Sequence, residues 1–126
     1  MKPFVGSIEK LTVGNRDFRR VLYTGTREQL VLMSLAPGEE IGREIHPETD
    51  QFFRIEEGHA RFVFGGGEER SAAAGDAVVV PAGTFHNVIN ASKKEPLKLY
   101  TIYAPPQHAA GTVQRTKEEA LAVEHH

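Results

Sequence analysis

The stretches GEEIGREIHPETDQFFRIEEG, Gly38 to Gly58, and GDAVVVPAGTFHNVIN, Gly75 to Asn90, decide how this chain folds. Side chains two apart on a strand share a face, so Glu44 and His46 point the same way across Ile45. Pro47 cannot continue a strand ladder, and with the polar Glu48-Thr49-Asp50 it reads as a turn. The chain then returns as QFFRI, which sets Gln51 opposite the Glu44/His46 pair across a short hairpin. In the second stretch AVVV reads as a buried strand, PAG as a turn, and FHNVI as the next strand, with His86 near its start. A carboxylate, an amide and two imidazoles thus stand beside turns on neighbouring strands. A small β-barrel would turn all four toward one interior point, which makes a metal site the leading reading. The plainer alternative is that the histidines are hydrogen-bonded structural residues and that Gln51 simply bonds Glu44.

Working outward, β-type segments recur with turn signals between them, as in a sandwich or barrel rather than in alternating β and α units. FRRVLYTG (Phe18 to Gly25) and EQLVLMSLAPG (Glu28 to Gly38) precede the first stretch, joined by a tight turn near Gly25. HARFVFGGGEERSAAAGD follows it as a hairpin reversed by Gly65-Gly66-Gly67. After the second stretch, Asn90 to Pro96 is a polar loop, and LKLYTIYAPP is a long strand stopped by Pro105 and Pro106. The one good helix signal is terminal: Thr116 and Glu119 form a capping box ahead of EALAVEHH, predicting a helix over about 116–125. The barrel core is predicted over about 18–105, within a single domain spanning 1–126.

With 126 residues, 40% of them hydrophobic, the chain has the size and content for one core. A net charge of −2 with interspersed signs gives no basic face, which argues against nucleic acid as a partner. The absence of cysteine excludes a disulfide framework and thiolate ligands. No stretch has the length of a signal-peptide core or a membrane span, so the expectation is a cytoplasmic protein with no membrane partner.

The two stretches resemble the motifs of the cupin superfamily. The first of these motifs runs glycine, five residues, His-x-His, four residues, glutamate, six residues, glycine; Gly38, Glu44, His46, Gln51 and Gly58 fall on those places. The second is filled at every place by Gly75, Pro81, Gly83, His86 and Asn90. The resemblance implies an all-β fold, a double-stranded β-helix or jelly-roll barrel with a short C-terminal helix added here. It also implies that Glu44, His46, Gln51 and His86 occupy the four metal-ligand positions. Two of these depart from the family pattern, with Glu44 replacing a histidine and Gln51 the glutamate. The set keeps one carboxylate and exchanges an imidazole for a neutral amide. Two histidines and a carboxylate are also the ingredients of the non-heme iron facial triad. The hard amide oxygen favours iron(II), manganese or nickel over a closed zinc site.

Strand parity extends the picture. If Gln51 and His86 point inward, so do Phe53, Ile55 and Val88. With Phe62, Phe64, Val31 and Met33 they predict an apolar, partly aromatic wall for a small ligand that chelates the metal through oxygen; alternatively, they are only barrel core. Ile41, Ile45 and Phe52 take the opposite parity. As an outward apolar strip they predict a homodimer, which the resemblance also favours, unless the N-terminal segment or the C-terminal helix covers them. Arg43 and Arg54 should face away from the site. His59 and His108 read as solvated, with His108 also a candidate for a flap over the pocket mouth. The terminal His125 and His126 are excluded from the site.

Two classes of function remain. In one, a metal-dependent enzyme carries out dioxygenase-, isomerase- or decarboxylase-type chemistry with Glu44 as the nearest base. In the other, the barrel is a non-catalytic small-molecule-binding or sensor module. The serine-elbow and thiol nucleophile signatures are missing.

Overall fold

The computed structural model describes residues 1–124, and the side chain of Glu124 is not among the described groups. In chain order the elements are α1 (Ile8–Gly14), β1 (Arg19–Thr24), β2 (Gln29–Leu35), β3 (Asp50–Glu57), β4 (His59–Phe64), β5 (Glu68–Ala73), β6 (Ala77–Val80), β7 (His86–Asn90), β8 (Leu97–Ala104), β9 (Val113–Gln114) and α2 (Lys117–Glu124). Two antiparallel sheets face each other, one in the order β6-β3-β8-β2-β1-β9 and the other β5-β4-β7. This is the expected all-β jelly roll with its short C-terminal helix.

Alternation along the strands decides what lies between the sheets. Register places Phe53 beside Thr101 and Thr101 beside Val31; the next inward row is Ile55, Leu99 and Met33. Phe62 and Val88 face them from the smaller sheet, and all but Thr101 belong to one fully buried apolar cluster. One row closer to the other end of the barrel, the inward set turns polar: Gln51, Tyr103 and Gln29 stand side by side, all at most 2% exposed. The barrel interior is therefore an apolar floor with a polar cap, and the cap holds the candidate site.

Two glycines are required by the turns that frame this arrangement. Gly58, at φ +95°, lies so close to the Pro96 carbonyl that an added Cβ would approach its oxygen to 2.6 Å. Gly83, at φ +83°, lets the Pro81–Thr84 turn bring its amide to the His46 carbonyl at 2.9 Å.

The structure corrects four local expectations. Glu44 and His46 do not lie in a regular strand, and Gln51 does not return beside them in a hairpin. Glu44 makes a single bridge to His86, whereas β3 pairs with β6 and β8 in the other sheet. The Pro47-Glu48 turn is thus a corner between sheets, and the site is assembled across the barrel. Second, α1 was not foreseen, because it lacks an apolar stripe; only Thr12 is buried, and Leu11 and Val13 are each 39% exposed. It packs over β8, β3 and β2, tied down where Lys98 Nζ donates to the Asn15 carbonyl at 2.6 Å and to Ser34 Oγ at 2.8 Å. Third, Ile41 does not point out but packs against the core, while Ile45 is exposed and Phe52 is half-buried beside Tyr100. Fourth, at α2, Thr116 accepts the Glu119 amide as the capping box requires, but the Glu119 carboxylate reaches back to the Arg115 amide instead of that of Thr116. The predicted end of that helix at 125, and the terminal His125 and His126, lie outside the described residues. Among the described residues no helix is long and apolar enough to cross a membrane.

Candidate metal centre

Glu44, His46 and His86 each present a ligand atom, and these atoms lie within 4.8 Å of one another. The Glu44–His86 bridge fixes two of them: each backbone amide donates to the other residue's carbonyl, at 2.8 and 2.9 Å. His46 sits just before the sheet-to-sheet corner, with its ring 5.6 Å from that of His86.

The imidazoles are prepared as ligands. His86 Nδ1 lies 3.0 Å from the Thr84 carbonyl oxygen, which can only accept, so Nδ1 carries the proton and Nε2 keeps its lone pair. Burial pushes the pKa of both histidines below the ordinary value; for His46 the neighbouring His86 and Arg19 push it further. Both rings are therefore neutral near pH 7, the form that binds metal.

Gln51 is oriented by a relay. The Thr101 hydroxyl donates to the Phe52 carbonyl at 2.8 Å, so its oxygen is available to accept from Gln51 Nε2 at 3.0 Å. That fixes the amide and leaves Oε1 as the remaining donor atom. The nitrogen Nε2 of His46, Nε2 of His86 and the oxygen Oε1 of Gln51 are all buried with no hydrogen-bond partner. Such orphans cost about 1–3 kcal/mol each when left unsatisfied. A divalent cation would satisfy three lone pairs at once, and the donor set fits one.

Around this cluster stand Arg19 and Tyr103, which the sequence reading passed over, and His108, which it read as solvated or as a flap over the pocket mouth. Arg19 is 2% exposed; its Nη1 donates to Gln114 Oε1 at 2.8 Å, and its Nε is buried without an acceptor. Tyr103 lies between His46 and His108, edge-on to both at ring distances of 5.7 and 5.0 Å. Its hydroxyl stands beside Gln51 and Arg19, and burial raises its pKa far above the ordinary phenol value. His108 is half-buried rather than solvated, while His59 is exposed as expected. Burial, followed by the charge of Arg19 and then His46, pushes His108 down to about 4. Gln29 holds the His108 loop in place: its oxygen accepts from the amides of Gln107 and His108, and its nitrogen donates to the His108 carbonyl at 2.7 Å. Parity offered a signal for Arg19, an arginine sharing the inward face of β1 with Val21, and for His108 the expectation of a flap over the pocket mouth, not the solvated one, is in keeping with its contact with Tyr103.

The predicted apolar wall is in large part the packed core. Met33, Val31, Phe53, Ile55, Phe62 and Val88 are each 0% exposed, and of these the Phe53 ring borders the site, 6.2 Å from His86. Phe64 is half-buried and lines a separate cleft of about 490 Å³ between the edges of β5 and β6. Arg43 lies over the Phe85 ring and Arg54 pairs with Glu56 at 2.9 Å, both away from the cluster.

Comparison with known proteins agrees with this architecture. The chain is 51% identical over 128 residues to the uncharacterized protein YrkC of Bacillus subtilis, covering 98% of this chain and 68% of YrkC. It is 44% identical over 112 residues to the uncharacterized protein L612 of Acanthamoeba polyphaga mimivirus, covering 87% of this chain and 70% of L612. The crystal structure of BH2720 from Bacillus halodurans superposes with a TM-score of 0.93 at 49% identity, covering 96% of this chain and 95% of that one. The model of the Cupin domain matches residues 31–103, which span every candidate ligand from Glu44 to His86, and the chain belongs to the cupin family.

Proposed function

We propose that this protein is a metal-dependent cupin enzyme that holds a divalent ion on Glu44, His46, Gln51 and His86 and acts on a small oxygen-chelating metabolite. Iron(II), manganese or nickel suits this mixed nitrogen and oxygen set better than zinc. The observation that carries the reading is the convergence of Glu44 with two neutral imidazoles, next to a buried amide oxygen without a partner. When bound, such an ion supplies Lewis-acid polarisation of a substrate oxygen, the common element of dioxygenase-, isomerase- and decarboxylase-type chemistry.

The protein's own residues divide the remaining work. Glu44 is the carboxylate of the set and only half-buried, which suits it to take or return a proton at a carboxylate oxygen. Tyr103 stays protonated through neutrality because burial opposes its ionisation, so it can donate a hydrogen bond to a substrate oxygen without losing its proton. Phe53 and the core beneath it close the floor and keep water from that side.

The shielding of the imidazole nitrogens from solvent favours a second reading, a binding or sensor module without turnover. Oxygen uptake and product analysis with iron(II)-loaded protein and a panel of small oxygen chelators separates the two. Turnover lost in His86→Ala supports the enzyme; tight binding without turnover across the panel supports the module.

We also propose that the protein is a homodimer. The outward row Val79, Phe52, Ile102 and Leu30 crosses four strands, and Val79 is 66% exposed. The α1 segment is anchored four residues away along β8, at Lys98. Sedimentation as a monomer at micromolar concentration would remove this assignment.

A further inference from the structure

The outer face of the larger sheet carries a cleft apart from the metal centre. Arg19 faces inward on β1, so Arg20 faces out, and register sets it beside Leu32 of β2. The ladder then slips between Val21 and Tyr23, a bulge at Leu22. Leu22, Leu32 and Arg20 form one wall of the cleft; residues 10, 11 and 14 of α1 and the linker 15–17 form the other, around a volume of about 410 Å³. Its floor is apolar, with Leu32 at 2% exposure and Leu22 half-buried.

The charged groups around this floor do not balance. Lys10, Arg16 and Arg20 stand against one carboxylate, Asp17, which lies 3.6 Å from Arg20 Nη1. That pair cancels and leaves the exposed Lys10 and Arg16 as a local positive excess, in a chain whose net charge is −2. The linker is held in place: Asn15, 6% exposed, accepts from the Asp17 amide at 3.1 Å and donates to the Asp17 carbonyl at 2.9 Å, with Arg16 between them. The Asn15 carbonyl at the end of α1, which would repel an anion, is met by the Lys98 ammonium at 2.6 Å. Burial lowers the Lys98 pKa, Glu57 opposes this, and the charge of Arg16 adds to it, so Arg16 and Lys98 share one positive field.

We propose that this cleft binds a phosphate monoester of a small apolar alcohol or phenol. Such a head carries about 1.5 to 2 negative charges near pH 7, which matches the excess of Lys10 and Arg16, and a guanidinium forks onto two of its oxygens. The apolar body lies on Leu22 and Leu32. A carboxylate of the same shape brings a single charge and leaves part of the excess unmet; inorganic phosphate leaves the leucines facing water. The site is on the opposite face of the sheet from His46 and His86 and does not depend on the metal-centre reading.

Calorimetric titration of the metal-free protein with 1-naphthyl phosphate tests the assignment, beside inorganic phosphate for the head alone, 1-naphthol for the body alone and 1-naphthoate for the single charge. The phosphate ester binds about tenfold or more tightly than each of the other three. Arg16→Gln and Arg20→Gln, both at exposed positions, each weaken it by about three- to tenfold, whereas Arg27→Gln, an exposed arginine in the turn between β1 and β2, leaves it unchanged. Leu22→Asn lowers affinity for the ester but not for inorganic phosphate. The His46→Ala, His86→Ala variant binds the ester as the parent does. An ester that binds no more tightly than inorganic phosphate is an adventitious ion only and overturns the site. An equal loss in Arg27→Gln, which would mark diffuse attraction, overturns it too, as does loss of binding in the double histidine variant, which would place the ester at the metal centre.

Discussion

The two ends of the barrel interior are built from the same strands in the same register, and they differ in what their atoms lack. At the floor, Phe53, Ile55, Phe62, Met33 and Leu99 fill one another's space and no polar atom is stranded. At the cap, two residues from Phe53 along β3 and four from Leu99 along β8, the inward positions become Gln51 and Tyr103, and His46, His86, Arg19 and His108 gather round them with partnerless nitrogens. Packing at the floor is complete in the folded chain alone. The cap leaves buried nitrogens without hydrogen-bond partners. Stability should therefore reside in the floor and binding in the cap, and substitutions at the two ends should separate the two properties.

The largest effect on stability is expected from Phe62→Ala. Emptying this fully buried site costs about 3–5 kcal/mol, read from urea denaturation, while the folded fraction keeps its metal affinity. An equal loss of metal affinity in folded protein would break the division between the ends. His46→Ala with His86→Ala should do the reverse, abolishing metal binding while the metal-free protein unfolds at the same urea concentration or higher, since buried nitrogens without partners are removed. Next comes Thr101→Val, which keeps the shape but removes the acceptor that orients Gln51. Outer-shell partners of this kind are worth about 10–100-fold in metal affinity, and a titration with a competing chelator would show it. If affinity were unchanged, Gln51 would not be a ligand.

The smallest effect is expected from pH. His108 has its folded pKa lowered to about 4 from an ordinary 6.5, and His46 and His86 are lowered as well. Between those values the unfolded chain binds more protons than the folded one, so the metal-free protein loses stability as pH falls from about 6.5 to about 4 and keeps it above that window. His108→Gln should flatten this slope in urea midpoints measured from pH 7 to pH 4.

Much of this contrast could be read from the chain. Glycine and proline placement with alternating apolar residues gave the barrel, and the spacing of Glu44, His46 and His86 gave a cluster that the structure brings together. Gln51 was correctly turned inward, although its neighbours are Tyr103 and Val80 rather than the hairpin partner expected. That error has a local cause: a turn at Pro47 looks the same in sequence whether it reverses the chain within a sheet or carries it to the facing one. Arg19 was missed, and His108 was placed only as an alternative to a solvated reading, for a different reason. Parity says which side of a strand a residue takes, but not that β9 and the loop before it would fold back across β1 and deliver His108 against Tyr103. Helix α1 escaped because it is held by its end contacts through Lys98, not by an apolar stripe.

The most direct test of the cap as a metal centre is elemental analysis of the purified, tag-free protein after anaerobic iron(II) loading and desalting, beside the His46→Ala, His86→Ala variant treated identically. The account predicts near-stoichiometric metal in the parent and none in the variant. No retained metal in the parent, or equal metal in both, would contradict it and leave the buried nitrogens of the cap without their assigned ligand.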